Sequence, residues 1–256
     1  MPFPQHPRKH LEKPLFTATD FHRYLARRQG ERSPRPPRSV VLVFGRRWKK
    51  YLDRRFRGKL DPRTDVYRVT ASVGVTRLGP GAPLVAMVIE ELAALGVRRF
   101  VIVGLAGSLQ PRVRGGSLVL CTKALRDEGT SHHYVGSGTF AHPSSTLTAS
   151  IRAVLKRSGA PFEEGASWTT DAPYRETVAE VRRFRKKGVL AVEMEASAAF
   201  AVARVVGCES AALFVVSDNL DEHGWEPRFH DTSRPLHHAL DIAIAALRRG
   251  RPATHR

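Results

Sequence analysis

Blocks of apolar residues, separated by short polar or glycine-containing stretches, predict strands and helices in alternation along the chain. The stretch Gly188–Leu220 shows the pattern most clearly. Its segments are a strand ending at Leu190–Val192, an Ala-rich helix at Ala196–Val206 and a second strand at Ala211–Val216. We interpret them as a βαβ unit, which indicates an α/β protein.

The same pattern extends over most of the chain. Further strands are predicted at Ser39–Phe44, Val73–Leu78, Arg98–Gly104, Ser117–Thr122 and Gly165–Thr170. Further helices are predicted at Leu84–Leu95, Ser145–Arg157, Thr177–Lys187 and Pro235–Arg248. Residues 1–39 are basic and proline-rich, with a short helix predicted at Asp20–Arg28, and we interpret them as a leader. The expected organisation is this leader, one domain at 40–249 and a basic tail at 250–256.

Three carboxylates lie where predicted strands end. Glu193 and Glu195 sit at the junction of a strand and a helix, and Asp218 ends the next strand. Residues two apart share a face only in extended chain, so the glutamates can cooperate only at such a junction. Open α/β sheets place ligands at strand ends, which favours a binding site. The alternative is local: carboxylates also suit a helix amino terminus or a turn.

Composition limits the class of protein. A chain of 256 residues that is 42% apolar can bury a full core. No apolar run approaches a membrane span of about 20 residues, and the first 30 residues lack the apolar segment of a signal peptide. We therefore expect a cytosolic protein. Cys121 and Cys208 lack CxxC spacing and are expected as free thiols, and the adjacent His132 and His133 lack a third ligand, so no metal is expected.

The formal net charge of +18 raises the question of nucleic-acid binding. The arginines are scattered over the whole chain, including predicted helix faces, and no nucleic-acid-binding motif accompanies them. A solvated basic surface is therefore favoured over a nucleic-acid site.

The run from Val192 to Ala196, Val-Glu-Met-Glu-Ala, is followed about two dozen residues later by Val216-Ser217-Asp218. This combination resembles the signature of nucleoside phosphorylases of the purine nucleoside and uridine phosphorylase type, and the resemblance extends over 40–249. It implies a three-layer α/β/α sandwich around a mixed, twisted sheet, assembled as a homo-oligomer, either a dimer or a hexamer built of dimers. It also implies a pentosyltransferase of purine salvage in the cytoplasm. The partners would be a nucleoside and inorganic phosphate as co-substrate, without an organic cofactor.

The resemblance also implies roles for single residues. Glu195 would bind the ribose 2′- and 3′-hydroxyls, with Met194 under the sugar and Glu193 nearby. Asp218 would be the general acid at purine N7. The base-binding residues implied are Trp168, by stacking, and Gly107. The phosphate-binding residues implied are Gly45, Arg46 and Gly104.

The sequence departs from the family at the phosphate site, where the family's arginine and hydroxyl are replaced by Ile102 and Leu105. Three functions remain open. A phosphorylase would hold phosphate through other arginines, namely Arg46, Arg47, Arg77 or Arg126. A nucleoside hydrolase would use water, and a non-catalytic protein would only bind nucleosides or nucleic acid. His6 and His10 are the available counterparts of an amino-terminal histidine that reaches a neighbouring subunit's ribose in the family, and neither is assigned.

Overall fold

The computed structural model describes residues 4–6, 8–30 and 33–249. Eleven strands in this part of the chain form one sheet. They are β1 (Ser39–Phe44), β2 (Leu60–Asp61), β3 (Val66–Arg68), β4 (Val73–Leu78), β5 (Arg99–Ser108), β6 (Leu118–Asp127), β7 (Phe140–Ala141), β8 (Phe162–Thr170), β9 (Val189–Glu193), β10 (Glu209–Asp221) and β11 (Gly224–Pro227). The helices are α1 (Ala18–Gln29), α2 (Trp48–Arg55), α3 (Ala82–Ala94), α4 (Ser145–Ser158), α5 (Val178–Lys186), α6 (Ala196–Val205) and α7 (Ser233–Arg249).

Local sequence explains where several helices begin. Thr17 and Asp20 form a capping box at the start of α1, and Thr177 and Glu180 form another at the start of α5. The Ser144 hydroxyl accepts a hydrogen bond from the Leu147 amide at the start of α4. These side chains satisfy backbone amides that have no partner within the first helical turn.

The sheet closes on itself at the end that carries the carboxylate motif of Val192–Ala196. Strand β5 pairs in parallel with β1 along one edge and with β10 along the other. Strand β9 pairs in parallel with β8, and also antiparallel with the end of β5 at Gly107 and Ser108. The pairings of β10 with β6 and of β6 with β8 complete a ring of five strands.

This ring corrects one prediction from the sequence. Strands β9 and β10 run in opposite directions relative to β5, so α6 does not join two parallel strands as a βαβ unit would. The strands and the helix lie where the pattern placed them, but β9 pairs with β8 and β5 instead of β10. Because strand partners are fixed by distant residues, the local apolar pattern could not reveal this arrangement.

The core has two large layers and one smaller cluster. One face of the sheet packs against α3 and α6, around residues such as Leu42, Ile89 and Phe200. The opposite face packs against α2, α4 and α7, around residues such as Trp48 and Leu240. A third cluster, which contains Trp168 and Phe184, lies between the closed end of the sheet and α5. The predicted three-layer arrangement of helices around a mixed sheet is confirmed.

Several predicted bounds shift in ways that affect the site. Strand β5 continues to Ser108, beyond the end at Gly104 that was predicted from the sequence. Helix α2 was not predicted and follows β1. In the leader, α1 contacts α3, whereas the predicted tail at 250–256 lies outside the described residues. None of the described helices combines the length and apolar character needed to cross a bilayer.

Candidate functional site

Asp218 is aimed by an irregularity in β10. The pairing of β10 with β5 shifts between Val216 and Asp218, which leaves Ser217 as the extra residue of a bulge. The Ser217 hydroxyl donates to Asp218 Oδ1 at 2.5 Å, and the Trp225 indole N–H donates to Asp218 Oδ2 at 2.9 Å. Bulges commonly redirect a side chain beside an active site. Here both carboxylate oxygens of a buried aspartate are held in fixed positions.

Gly107 connects the two carboxylate-bearing strands. It pairs with Val192 of β9 on one side and with Asp218 of β10 on the other. A Cβ atom at this position would lie 3.0 Å from Asp218 Oδ2 and 3.2 Å from Val192 Cγ1, and would collide with Leu220. Glycine is therefore required for the close approach of these side chains. The predicted contact of Gly107 with a base stays a prediction, since Leu220 occupies the adjacent space in this structure.

Glu193 is buried, and both of its carboxylate oxygens are engaged. Oε1 accepts hydrogen bonds from the hydroxyls of Ser167, at 3.0 Å, and Thr169, at 2.6 Å. Oε2 accepts from the backbone amides of Glu195, at 2.8 Å, and Ala196, at 2.7 Å. Burial raises the pKa of Glu193, and these donors oppose that shift. Glu193 thus holds the junction of β9 and α6, and its contact with ribose stays a prediction.

Glu195 follows at the position that precedes helix α6. Its Oε1 accepts a hydrogen bond of 2.6 Å from the amide of Gly81, the residue that precedes helix α3. Burial, and next the charge of Glu193, raise the pKa of Glu195 to about 8, although the Gly81 amide lowers it. A buried carboxyl with this pKa changes its charge readily near neutral pH. Met194 lies between the two glutamates and is partly exposed.

Trp168 forms part of an interior wall. The residue is 1% exposed, and its ring centroid lies 4.7 Å from that of Phe184. Its indole N–H donates to Asp127 Oδ2 at 2.8 Å. Trp168 pairs in register with Val192, which places it next to the Gly107 position. The structure brings it to the site region, while its stacking on a base stays a prediction.

A buried hydrogen-bond network joins α6 to the loop after β6. Glu128 accepts from the Ser197 hydroxyl at 2.7 Å and from the Ser131 amide at 2.9 Å. Arg126 donates to the Ser131 hydroxyl at 2.8 Å and to three backbone carbonyls of the same loop, those of residues 135, 136 and 138. Because its guanidinium is used to hold this loop, Arg126 is not available as the phosphate-binding arginine considered from the sequence.

The predicted phosphate contacts of Gly45, Arg46 and Gly104 stay predictions, and the surroundings of the three residues differ. The Gly45 amide donates to the Leu78 carbonyl at 2.9 Å and is therefore engaged within the fold. Gly104 lies inside β5, where a Cβ atom would be 3.5 Å from the ring of Phe214 and 3.6 Å from that of Phe44. A Cβ atom at Gly104 would therefore make ordinary van der Waals contacts. Arg46, in contrast, is exposed at the end of β1 and has no ion pair among the described residues.

The two residues that replace the family's phosphate ligands belong to the core. Ile102 is 0% exposed and packs in the layer beneath α3 and α6. Leu105 is partly buried and packs on the opposite layer. Strand β5 therefore presents apolar packing at both positions.

Sequence reasoning missed Glu176, which lies in the loop after β8. Burial, and next the negative charges of Asp218 and Glu180, together raise the pKa of Glu176 to about 7. Glu176 is thus a partly buried carboxyl close enough to Asp218 to respond to its charge. The only signal in the sequence was its place after a strand that ends at the site. No cluster of three metal-binding side chains occurs within 4–6, 8–30 and 33–249.

Comparison with known proteins shows which family the sequence matches. The model of the phosphorylase superfamily matches residues 49–248. Guanosine phosphorylase of Halorubrum lacusprofundi is 32% identical over 142 residues, a match that covers 56% of this chain and 59% of that protein. The chain thus matches about three fifths of that relative's length.

Two solved structures have a similar fold. Uridine phosphorylase of Vibrio fischeri superimposes with a TM-score of 0.66 at 24% identity, covering 82% of this chain and 92% of the other. AMP nucleosidase of Bacteroides thetaiotaomicron superimposes with a TM-score of 0.74 at 18% identity, covering 91% of this chain and 97% of the other. At these identities the comparison establishes the fold alone.

Proposed function

Because this chain belongs to the phosphorylase superfamily, we propose that it cleaves the N-glycosidic bond of a purine nucleoside by phosphorolysis. The products would be the free base and a pentose 1-phosphate. The observation that carries the proposal is the pair of buried carboxylates Glu195 and Asp218. Asp218 lies in β10 and Glu195 follows the end of β9 by two residues, and both strands meet β5 at Gly107. Glu195 accepts a hydrogen bond from Gly81 at the amino terminus of α3. Asp218 accepts hydrogen bonds from the side chains of Ser217 and Trp225.

The proposed chemistry needs both carboxylates. Cleavage at C1′ develops positive charge on the sugar and negative charge on the departing base. Glu195 accepts hydrogen bonds from the ribose 2′- and 3′-hydroxyls. Its ionised form, which becomes populated as pH rises toward its pKa of about 8, also stabilises the cationic sugar. Ser217 and Trp225 orient Asp218, which donates a hydrogen bond or a proton to purine N7 as the base departs. Glu193 acts indirectly, by fixing the backbone amide of Glu195.

The purine preference is supported by two observations. A relative with 32% identity is a guanosine phosphorylase, and an acid at the Asp218 position suits the purine N7. Glu176, close to Asp218, adds a second carboxyl on the base side of the proposed site. We place this activity in cytoplasmic nucleoside salvage, carried out by a homo-oligomer.

Phosphate would bind at the edge where β1 and β4 end. The Gly45 amide reaches the Leu78 carbonyl, so Arg46 lies close to the turn that leads to Gly81 and α3. If its exposed guanidinium reaches the amino terminus of α3, the two together would form a suitable arrangement for an anion. Arg46 therefore replaces the missing arginine of β5 in this proposal.

Hydrolysis is the second candidate, favoured by one specific observation. Ile102 and Leu105 provide packing in place of a cation and a hydroxyl, and water requires neither. A third candidate, a non-catalytic nucleoside-binding protein, would keep the same carboxylates without turnover.

Product analysis tests these alternatives. A panel of purine and pyrimidine nucleosides is incubated with the full-length protein, with and without inorganic phosphate. Purine release that requires phosphate and yields pentose 1-phosphate is the expected result. Equal release without phosphate, with free pentose, would instead establish the hydrolase. Binding of nucleosides without release under either condition would contradict an enzymatic role.

A further inference from the structure

The hairpin that carries Trp225 lies at the surface of the fold. Every residue from 221 to 231 is exposed, and the next residue, Thr232, is fully buried. Segments with few buried contacts open locally at a low cost in free energy. Trp225 nevertheless donates its indole N–H to the buried Asp218 carboxylate at 2.9 Å. Its position on that carboxylate therefore depends on the contacts that anchor the exposed segment.

Two backbone hydrogen bonds hold the ends of the segment that follows β11. The Arg228 amide donates to the Ser217 carbonyl, in the bulge of β10, at 2.7 Å. The Leu236 amide of α7 donates to the Thr232 carbonyl at 2.9 Å. Between these two points the chain forms a single 3-10 turn, Phe229–Asp231, whose residues are all exposed. The turn therefore has little packing of its own to fix it beside Trp225.

Arg47 supplies a third anchor, from the turn between β1 and α2. Its guanidinium Nη1 donates to the Thr232 hydroxyl at 2.7 Å. The same hydroxyl donates to the Phe229 carbonyl at 2.7 Å, and the Phe229 ring lies edge-on to the Trp225 ring with their centroids 6.3 Å apart. A continuous series of contacts thus joins Arg47 to the Asp218 carboxylate.

The hydrogen bonds of the Thr232 hydroxyl define a direction for this series. A threonine hydroxyl has one proton to donate and lone pairs with which to accept. Because the proton is used on the Phe229 carbonyl, the hydroxyl oxygen is left to accept from Arg47. A buried acceptor that loses its donor costs free energy. The arginine and the threonine are therefore matched to each other, although they are 185 positions apart in the sequence.

We propose that Arg47 is a positioning residue, which anchors the turn after β11 so that Trp225 stays on the Asp218 carboxylate. The inference rests on the proposed function, because the orientation of Asp218 matters only where Asp218 acts on the departing base. Arg47 thereby acts on the chemical step and not on the affinity for phosphate.

Steady-state kinetics of Arg47→Met and Thr232→Val test the proposal. Each variant removes the hydrogen bond between the two side chains, and only Arg47→Met changes the charge. We expect both to lower kcat on inosine and guanosine about fivefold, with an unchanged KM for phosphate. The controls are Thr232→Ser, which keeps the hydroxyl, and Arg54→Met, at another exposed arginine of α2; both should keep the unmodified kcat. A higher KM for phosphate in Arg47→Met, with unchanged kinetics in Thr232→Val, would assign Arg47 to phosphate and overturn the proposal.

The double variant Arg47→Met/Trp225→Phe shows whether Arg47 acts through Trp225. If it does, the double variant should be no slower than Trp225→Phe alone, because the hydrogen bond that Arg47 positions is already lost. Effects of the two substitutions that multiply would mean independent roles and would exclude the proposed mechanism.

Quenching of tryptophan fluorescence by acrylamide measures the position of Trp225 without turnover. Trp225 is 61% exposed, whereas Trp48 and Trp168 are 2% and 1% exposed, so this uncharged quencher acts mainly on Trp225. Quenching should increase in Arg47→Met and Thr232→Val and stay unchanged in Arg54→Met. Unchanged quenching in both anchor variants would refute the proposal. Absence of turnover in the unmodified protein would instead contradict the proposed function, and quenching would still decide whether Arg47 anchors the hairpin.

Discussion

Glu193 and Glu195 show how two carboxylates of one short motif acquire different roles. Glu193 accepts four hydrogen bonds from its surroundings, whereas Glu195 receives one from the Gly81 amide. Glu193 therefore serves the fold, whereas Glu195 can still accept hydrogen bonds from a ligand. The sequence placed both at a strand-to-helix junction, but only the hydroxyls of Ser167 and Thr169, from another strand, distinguish them.

At Asp218, we expect the substitution Asp218→Asn to lower turnover of inosine and adenosine by about 10²-fold or more, because general acid catalysis contributes this much. The amide can still accept the Trp225 hydrogen bond, so the fold should be retained. Steady-state kinetics and thermal unfolding check both expectations. Rates equal to those of the unmodified protein would remove Asp218 from the acid role.

Glu195 links the site to stability. Its pKa is about 8 in the folded chain and about 4.5 when exposed. The folded state therefore binds this proton more tightly, so the stability associated with it is complete below about pH 4.5 and is lost as pH rises through 8. Glu195→Gln stays uncharged and keeps an acceptor for Gly81. We expect a melting temperature at pH 8.5 several degrees above that of the unmodified protein, with a smaller difference at pH 5.

Thermal unfolding at the two pH values measures this effect. Glu163→Gln, at a partly exposed carboxylate that pairs with Arg112, is the control. A Glu195→Gln protein that is less stable than the unmodified one at pH 8.5 would contradict the argument. The same variant should also bind nucleosides more weakly, because it cannot supply a negative charge to the sugar. Greater stability with poorer binding is the combination expected of a ligand-binding group.

Glu176 provides a pH signature for the proposed reaction. Its pKa of about 7 means that it becomes negatively charged as pH rises through neutrality, close to Asp218. That charge repels the negative charge developing on the base, so kcat/KM should fall across this range. Glu176→Gln should remove the inflection near pH 7. A pH profile of kcat/KM in both proteins checks this, and an unchanged inflection in the variant would exclude Glu176 as its source.

At the scale of elements, the sequence predicted most strands and helices but not how they close. Ser39–Phe44 and Val73–Leu78 were identified with their bounds. The first is an almost continuous apolar run, as expected of a buried parallel strand. The second pairing of β5, with β9 at Gly107, depends on residues more than 80 positions apart. The bulge at Ser217 depends equally on the partner strand. Pairing and register between distant segments are therefore what the local pattern lacked.

The β10–β11 hairpin gives a prediction at this scale. Trp225 is 61% exposed, so its main interaction with the site is the hydrogen bond to Asp218. Trp225→Phe keeps an aromatic ring and removes that bond, and we expect kcat/KM to fall about tenfold with little change in melting temperature. Tyr174→Phe, at a residue 99% exposed, is the control. Full activity in Trp225→Phe would mean that Ser217 alone is sufficient to orient Asp218.

At the scale of the molecule, part of the positive charge has a structural use. Arg98, Arg126 and Arg185 donate to backbone carbonyls, and Arg99 is buried against Glu209 and the Leu247 carbonyl. These guanidinium groups cross-link loops and helix ends within the fold. They account for some of the +18 charge without a nucleic-acid partner, which agrees with the scattered arginine pattern in the sequence.

The division into leader and domain can be tested on the whole chain. All three apolar clusters draw their members from Val40 onward, whereas the leader makes peripheral contacts, through α1 on α3 and Lys9 Nζ to His133 Nδ1 at 3.1 Å. A chain that begins at residue 34 should therefore unfold cooperatively, with a melting temperature only a few degrees lower. A chain that begins at Gly45 lacks β1, which lies between β4 and β5, and should not fold.

Circular dichroism and thermal unfolding of the two truncated chains measure this difference. Loss of cooperative unfolding in the longer chain would show that the leader belongs to the domain core. The turnover of the chain that begins at residue 34 carries separate information, because the leader contacts the loop that holds Ser131. Glu128 joins this loop to helix α6 by hydrogen bonds to the Ser131 amide and the Ser197 hydroxyl. Retained stability with reduced turnover would mean that the leader orders this loop for catalysis. We expect the chain without the leader to keep both its stability and its turnover. The reason is that the site carboxylates and their hydrogen-bond donors all lie between Gly81 and Trp225.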